Sequence, residues 1–364
     1  MTKRDRVRYI RIGEAADRLG VSKSTIYRMV DQGILTPAKT PGGQRRFDVE
    51  QLDDYLERSE SLTHPSSTRD QDETNTVEGK ADVDPRNRLN DLSGREWMPA
   101  TKSYVYQKGL GSGHPHAQIE RQHPAPFSFQ DVQGLIEFFT KAGMTVLDPF
   151  GGVGSTAKAC ALSKRTCISI ELQQHWHELA AQRLEVEVGP GVSKQHRLVC
   201  ADSREYLAEL EPDSVDFVVT SPPYWSILNK KADHKVKAGR VAHSLATNYS
   251  DDDPADLANI RDYGEFNQSL VNEFVLPSAR TLKDGKYFCL IVSDFRDKSR
   301  FVSFHSDLIH LIDGTEIPGG GFLRLQGTKI LIQNHKSLLP YGYPFAYVEN
   351  IHHQYILIFR KVSK

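Results

Sequence analysis

The chain has 364 residues, with 46 Lys and Arg against 47 Asp and Glu, for a formal net charge of −1. That length suits about two domains, and no apolar run is long enough for a bilayer-spanning helix. Near-neutrality excludes a uniformly basic nucleic-acid binder, but the charge is segregated: residues 1–46 hold eleven Lys and Arg against four Asp and Glu, and residues 229–240 hold five against one.

From the N-terminus, Met-Thr-Lys-Arg-Asp-Arg leads into no apolar signal segment, so a cytoplasmic location without membrane association is expected. Residues 12–28 predict helix, tight turn, helix. Gly20 supplies the turn and Ser22 the N-cap of the second helix. Ile26, Met29 and Val30 are the candidate packed face. Lys23, Ser24, Thr25, Tyr27 and Arg28 are left to face DNA, because the start of a recognition helix reaches the major-groove bases. A Gly-Gly-Gln-Arg-Arg-Phe run at 42–47 and an apolar-periodic stretch at 49–56 add a basic wing and a closing helix. The arrangement resembles the winged helix-turn-helix of MerR-type regulators and phage excisionases. That resemblance implies a DNA-binding domain over 1–58 and phosphate contacts for Arg45 and Arg46. A protein-interaction module with a solvated basic face is the competing reading.

Residues 59–99 lack sustained apolar periodicity and are rich in Ser, Thr, Asp, Glu and Asn. They are expected to form a flexible acidic linker, since such a segment buries too little surface to offset ordering entropy. From 100 to 364 strand and helix signals alternate, which predicts an α/β domain. Strands are expected at 145–147, 166–171, 196–202, 215–220 and 285–293, and helices at 155–162, 175–186 and 270–282. A late hairpin is expected from 347–349 and 354–359. Cys160, Cys167, Cys200 and Cys289 form no Cys-x-x-Cys pair and read as core thiols. His114, His116 and His123 match no recognisable metal-site spacing, so no metal is expected.

Two motifs carry the chemistry. The first is Asp148-Pro149-Phe150-Gly151-Gly152-Val153-Gly154-Ser155-Thr156, a strand end running into a glycine loop and a helix. The glycines let the backbone approach a ligand, and the helix start favours an anionic group. A glycine loop alone also serves nucleotide and flavin sites. This one lacks the Gly-Lys-Ser/Thr of a phosphate-binding loop. The next two strands end on Glu171 and near Asp202, placed to accept hydrogen bonds from ribose hydroxyls and an adenine amine. Those details favour S-adenosylmethionine.

The second motif is Thr220-Ser221-Pro222-Pro223-Tyr224-Trp225, after an apolar strand. The prolines fix φ and remove two donors, which leaves carbonyls free to face a substrate. A nucleobase amine is a poor nucleophile because its lone pair is delocalised into the ring. The Ser221 hydroxyl and Pro222 carbonyl would accept its N–H bonds and aim the lone pair, so the rate would come from positioning. Tyr224 would stack on a base turned out of the helix.

Together the motifs resemble those of the DNA amino-methyltransferases, over about 124–360. The resemblance implies a Rossmann-like S-adenosylmethionine-dependent methyltransferase fold for 100–364. It assigns Asp148, Phe150, Gly151, Gly152 and Gly154 to the cofactor loop and Glu171 to the ribose; Pro149 and Thr156 of the same loop, and Asp202 at the next strand end, are the further cofactor-binding candidates. It adds Pro124 and Phe127, from His-Pro-Ala-Pro-Phe at 123–127, over the methionine end. Serine at the first loop position is typical of the cytosine-N4 enzymes, with adenine-N6 as the alternative. A cytosine-C5 enzyme would need a Pro-Cys pair, and no cysteine here follows a proline. The gap between the motifs is too short for a target-recognition domain. Recognition is expected later, in the insert bearing Lys230, Lys231, Lys235 and Lys237, in the polar stretch to Asp262, or within 300–343. DNA is the implied partner, and a cognate restriction endonuclease is a candidate partner. Competing readings are a cofactor-sensing transcriptional regulator and an RNA or protein methyltransferase.

Overall fold

A computed structural model describes residues 9–19, 23–31, 34–40, 44–49, 51–53, 55, 83–107, 114–124, 128–225, 253–297, 300–333, 336 and 338–363. The chain divides into two units, Met1–Glu78 and Gly79–Lys364.

In the first unit, helices α1 (Ile12–Arg18) and α2 (Lys23–Asp31) pack together. Strands β1 (Tyr9–Ile10), β2 (Ala38–Lys39) and β3 (Arg45–Asp48) pair in the order β1-β3-β2. Ala15, Ala16, Ile26, Met29, Leu35, Phe47 and Leu52 form the core, with Val30 half-buried against it. Two of the three apolar positions expected on the packed face of α2 are therefore fully inside. Phe47 comes from the wing strand, so the same core that holds the helices also anchors the wing.

The second unit is built on an eight-stranded sheet of β4 (Tyr104–Tyr106), β5 (Thr145–Asp148), β6 (Thr166–Glu171), β7 (Arg197–Cys200), β8 (Val215–Thr220), β9 (Leu282–Val292), β12 (Phe322–Ile332) and β13 (His353–Val362). A separate short hairpin joins β10 (Phe295–Asp297) to β11 (Arg300–Val302). The sheet order is β4-β12-β13-β9-β8-β5-β6-β7. Strands β5 to β9 run parallel, and β13 is antiparallel to both β9 and β12.

Alternation along the strands separates two cores. Leu147, Val218, Phe288 and Leu290 enter one, while Val146, Phe217, Val219, Cys289 and Ile291 enter the other. Successive residues of a strand point to opposite faces, so a strand buried on both sides is largely apolar, and any polar side chain on it must find a partner. Val215–Thr220 is buried at every residue. Helices α4 (Phe129–Phe139), α5 (Ser155–Leu162) and α6 (Gln174–Glu187) and then α7 (Ser203–Glu209) connect the first strands. The chain moves outward from β5 through β6 to β7, then returns to β8 on the other side of β5. That reversal is a topological switch point, where α/β folds open a crevice beyond the strand ends.

Several expectations need correction. The linker does not extend to 99. Residues 83–99 are fixed to the second unit: Asn90 Nδ2 donates to the Phe138 carbonyl at 2.6 Å, Lys141 Nζ donates to the Asn87 carbonyl at 2.6 Å, and the Trp97 ring lies 5.1 Å from Phe138. Their polar composition serves turns and a helix start at α3 (Gly94–Ala100), where the Ser93 N–H and hydroxyl donate to Glu96.

The late hairpin is β12 with β13, and residues 347–349 form no strand. Most of 300–343, one of three candidate recognition regions, forms β11, β12 and helix α10 (Phe304–Ile312). Strand β12 reads Phe-Leu-Arg-Leu-Gln-Gly-Thr-Lys-Ile-Leu-Ile, with a register shift between Leu325 and Gly327 that interrupts its alternation.

The helix expected at 270–282 starts earlier. It runs through α8 (Tyr263–Ser269), a π-helical turn at Leu270–Val275 and α9 (Leu276–Thr281). Cys200 is exposed, unlike the other three thiols. No helix among the described residues is long and apolar enough to cross a membrane.

Candidate active site

A pocket opens beyond the ends of β5, β6 and β8. Pro149, Phe150 and Gly152 line it from the glycine loop, and Glu171, Gln173 and Trp176 from the end of β6 into α6. Asp202 and Ser203 line it from the start of α7, and Ser221, Pro222 and Pro223 from the loop after β8. Leu257 and Phe274 arrive from later in the chain, with Phe274 4.9 Å from the Phe150 ring.

Asp148, Gly151, Gly154 and Thr156 stand behind this wall. Asp148 is fully buried and accepts hydrogen bonds from Thr156 Oγ1 at 2.5 Å, Thr220 Oγ1 at 2.6 Å and the Phe150 N–H at 3.0 Å. Burial pushes its carboxyl up, and those donors oppose the rise. Gly151 is glycine for the sheet: a Cβ there would lie 2.2 Å from Ser169 Oγ. Gly154, at φ +74°, would place a Cβ 2.9 Å from Ala180 Cβ of α6. The glycines expected to admit a ligand thus divide, and only Gly152 faces the pocket.

The Gly152 N–H donates to Glu171 Oε2 at 2.8 Å, and the Gln173 N–H donates to Oε1 at 2.9 Å. Burial pushes the Glu171 carboxyl up to about 7 despite these two donors. Asp202 caps α7 by accepting from the Arg204 N–H at 2.9 Å, and the Arg204 guanidinium reaches both its oxygens. Burial raises its carboxyl, but Arg204 outweighs that and holds it below the usual range.

The Ser221 side chain is hydrogen-bonded to the Tyr224 hydroxyl. Gln354 Nε2, at the start of β13, also donates to that hydroxyl at 2.7 Å. Tyr224 is half-buried behind the pocket wall, and Trp225 is buried with its Nε1 donating to the Ile260 carbonyl at 3.0 Å. Of the upstream motif, His123 lines the pocket, with its ring 5.0 Å from Trp176. Pro124 follows it outside the lining, and Phe127 lies outside the described residues.

Segment 114–124 is held by buried charge. Arg183 Nη2 donates to Glu120 at 2.5 Å, and Lys158 Nζ donates to Glu187 at 2.6 Å and lies 3.1 Å from His116 Nδ1. Lys158 and Arg183 are fully buried, so each requires these partners.

Sequence reasoning does not single out Gln173, Trp176, Leu257 and Phe274 as site residues, and it names His123 only as the first residue of the upstream motif. Gln173 and Trp176 closely follow the acid that ends β6, which is a usable signal. Leu257 and Phe274 carry no local signal and arrive only through folding.

In the first unit, Tyr27 is exposed on α2 and the Arg45 guanidinium lies 5.4 Å from its ring centroid. Arg46 Nη2 donates to Gln44 Oε1 at 3.2 Å, and Thr25 is half-buried. Lys23, Ser24 and Arg28 belong to α2. Lys230, Lys231, Lys235 and Lys237 lie outside the described residues.

A helix-turn-helix domain model matches residues 9–60. The orphan methyltransferase M.BamHII of Bacillus amyloliquefaciens is 34% identical over 79 residues, 21% of this chain and 30% of that protein. The Type II methyltransferase M.MjaI of Methanocaldococcus jannaschii is 33% identical over 78 residues, 21% of this chain and 25% of that protein. The chain resembles DNA methyltransferases. YubD of Escherichia coli (strain K12), a methylase candidate, is 45% identical over 64 residues, 18% of this chain and 28% of that protein. The matched stretches thus span less than a third of these relatives' lengths. Among solved structures, TrmN from Thermus thermophilus is 17% identical, with a TM-score of 0.37, covering 64% of this chain and 48% of that one.

Proposed function

We propose that the protein is an S-adenosylmethionine-dependent DNA methyltransferase acting on the exocyclic amine of a base turned out of the helix. One observation carries this reading. The Asp148–Thr220 hydrogen bond joins the ends of β5 and β8, so the glycine loop and Ser221-Pro222-Pro223 share one pocket wall.

The residues present suit the cofactor. Glu171 lies at a strand end with its carboxylate beside a glycine backbone, as ribose hydroxyls require. Phe150 and Phe274 offer flat apolar surface for a purine. Gly152 and His123 border the same pocket, with the His123 ring 3.5 Å from where a Gly152 Cβ would stand. When bound, S-adenosylmethionine supplies a methyl group on a sulfonium.

The protein's own work is positional. Ser221 Oγ and the Pro222 carbonyl accept the two N–H bonds of the target amine and turn its lone pair toward the pocket. The prolines hold those acceptors rigid, so little reorganisation is needed at reaction. Tyr224 is tied to Gln354, which fixes the end of the loop. The wing arginines Arg45 and Arg46 contact phosphates, and α2 enters the major groove. Tethering this module to the catalytic unit raises the local concentration of DNA at the pocket.

Serine at position 221 favours cytosine N4 over adenine N6. Incubation with genomic DNA and isotopically labelled S-adenosylmethionine, followed by nucleoside mass spectrometry, tests both levels. Label in N4-methylcytosine is the expected result. Label in N6-methyladenine keeps the enzyme and overturns the base. No label in DNA, with cofactor bound, overturns the reading.

A further inference from the structure

Residues 338–350, between β12 and β13, form a hydrogen-bonded loop that holds aromatic side chains out in water. Asn350 closes its base, with its Oδ1 accepting from the Leu339 N–H at 2.9 Å and its Nδ2 donating to the Leu339 carbonyl at 2.9 Å. Inside, the Gly342 carbonyl accepts from the Phe345 and Ala346 N–H groups, both at 2.7 Å. Gly342 sits at φ +73°, and a Cβ there would fall 2.3 Å from the Ala346 carbonyl oxygen, so the fold of the loop requires glycine.

On this frame Phe345 is 93% exposed, Tyr347 86% and Tyr343 81%. Exposed apolar side chains scattered singly are ordinary, but three large rings within five residues on a hydrogen-bonded loop mark a contact surface.

Its position identifies the partner. Strand β12 runs in the same direction as β8, so residues 338–350 leave the sheet at the edge that carries Ser221-Pro222-Pro223. The strand that follows the loop reaches the residue after Pro223. Gln333 N donates to the His352 carbonyl at 2.8 Å, and Gln354 donates to Tyr224. Residues 338–350 hold three Tyr and one Phe, and the single charged residue among them is Glu349. Phosphates are not what such a surface fits. It fits flat faces with hydrogen-bonding edges, and turning a base out of a duplex exposes such faces on the bases beside the gap.

We propose that Tyr343, Phe345 and Tyr347 stack on the bases flanking the nucleotide turned into the pocket. This rests on the methyltransferase reading above, and it assigns the loop a duplex-specific role. The rings replace the stacking that the departing base gives up, while the Gln354–Tyr224 contact ties the strand after the loop to the loop that carries Ser221.

The test uses the full chain with Tyr343→Ala, Phe345→Ala and Tyr347→Ala combined. Initial rates are compared on native and heat-denatured genomic DNA, alongside cofactor affinity by calorimetry and thermal melting. Since stacking contributes about tenfold or more per ring, kcat/KM on native DNA should fall at least about 100-fold. The fall on denatured DNA should be much smaller, with cofactor affinity and melting unchanged. Equal losses on the two DNAs, or a wild-type rate on native DNA, would overturn the stacking role.

A second variant, Phe345→Trp, reads the contact without turnover. Its added emission, measured against the wild-type protein, should be quenched by duplex DNA. Absence of quenching overturns the proposal even if methylation proceeds. Should wild-type protein transfer no methyl to DNA, the enzymatic reading fails, while quenching still decides the contact. Loss of self-association or of liposome binding in the triple variant, without loss on DNA, would assign the loop to those partners instead.

Discussion

Thr220 Oγ1 donates to Asp148 Oδ1 at 2.6 Å, inside a site from which both side chains are shut off from solvent. The bond ties the strand that precedes the glycine loop to the strand that precedes Ser221. A buried carboxylate satisfied by two hydroxyls and a backbone N–H is rigid, because losing any donor leaves a desolvated acceptor unmet. The two halves of the site are thereby held at one fixed separation.

Thr220→Val keeps the shape and removes that donor. Stability should fall by about 1–3 kcal/mol, the usual penalty for orphaning a buried acceptor. Chemical denaturation measures it. Cofactor affinity and turnover should both decline, because both loops move. An unchanged denaturation midpoint would mean that Asp148 does not couple the strands.

Ser221→Ala removes one of the two proposed amine acceptors while leaving the glycine loop intact. Turnover should drop by about 100-fold or more, the scale of losing one positioned transition-state partner. Cofactor affinity by calorimetry should stay within about twofold, since Glu171 and Gly152 are untouched. Equal losses in both would show that Ser221 shapes the pocket instead of aiming the amine.

Glu171 predicts a pH dependence. Its carboxyl is raised from 4.5 to about 7, chiefly by burial. In the cofactor-free protein the stability attached to its proton is present below about 4.5 and is lost as pH rises through about 7. On the proposed ribose contact, cofactor binding has the opposite slope, because ribose hydroxyls donate best to the ionised carboxylate. Affinity should climb by up to about tenfold between pH 6 and 8, a proton-linked change of roughly one unit. Glu171→Gln should bind more weakly and flatten that slope. A slope unaltered by the substitution would place the titration elsewhere.

Arg45→Ala and Arg46→Ala test the wing in the full chain. Either substitution should reduce the slope of log affinity against log salt by about 1, as expected when one phosphate is no longer neutralised. Cofactor affinity should be unaffected. A slope that does not change would remove the wing from the DNA interface. A truncation meant to isolate the second unit should cut before 83, not at 100. Deleting Asn90 and Trp97 would strip the Phe138 contacts that hold α4.

Legibility followed the range of the interactions. The strand at Val215–Thr220 and the helix at Ser155–Leu162 have the predicted bounds, because a short, mostly apolar run and a glycine-led start are local signals. Residues 83–99 read as linker because Asn, Asp and Ser serve tight turns and disordered segments alike, and only their partners distinguish the two. Strand β12 escapes a sequence reading because the Gly327 irregularity interrupts its alternation.

The sequence by itself determined the two-part organisation, the α/β character and the order of the two motifs. All of these rest on short-range patterns of apolar residues, prolines and glycines. Folding decided which members of those motifs face the pocket. Asp148, Gly151, Gly154 and Thr156 became its frame, while Trp176, Leu257 and Phe274 became its wall. The sequence could not reveal this, because Asp148 meets Thr220 across 72 residues and Tyr224 meets Gln354 across 130. Contacts at such separations are fixed by sheet order and register, which exist only once the whole core has formed.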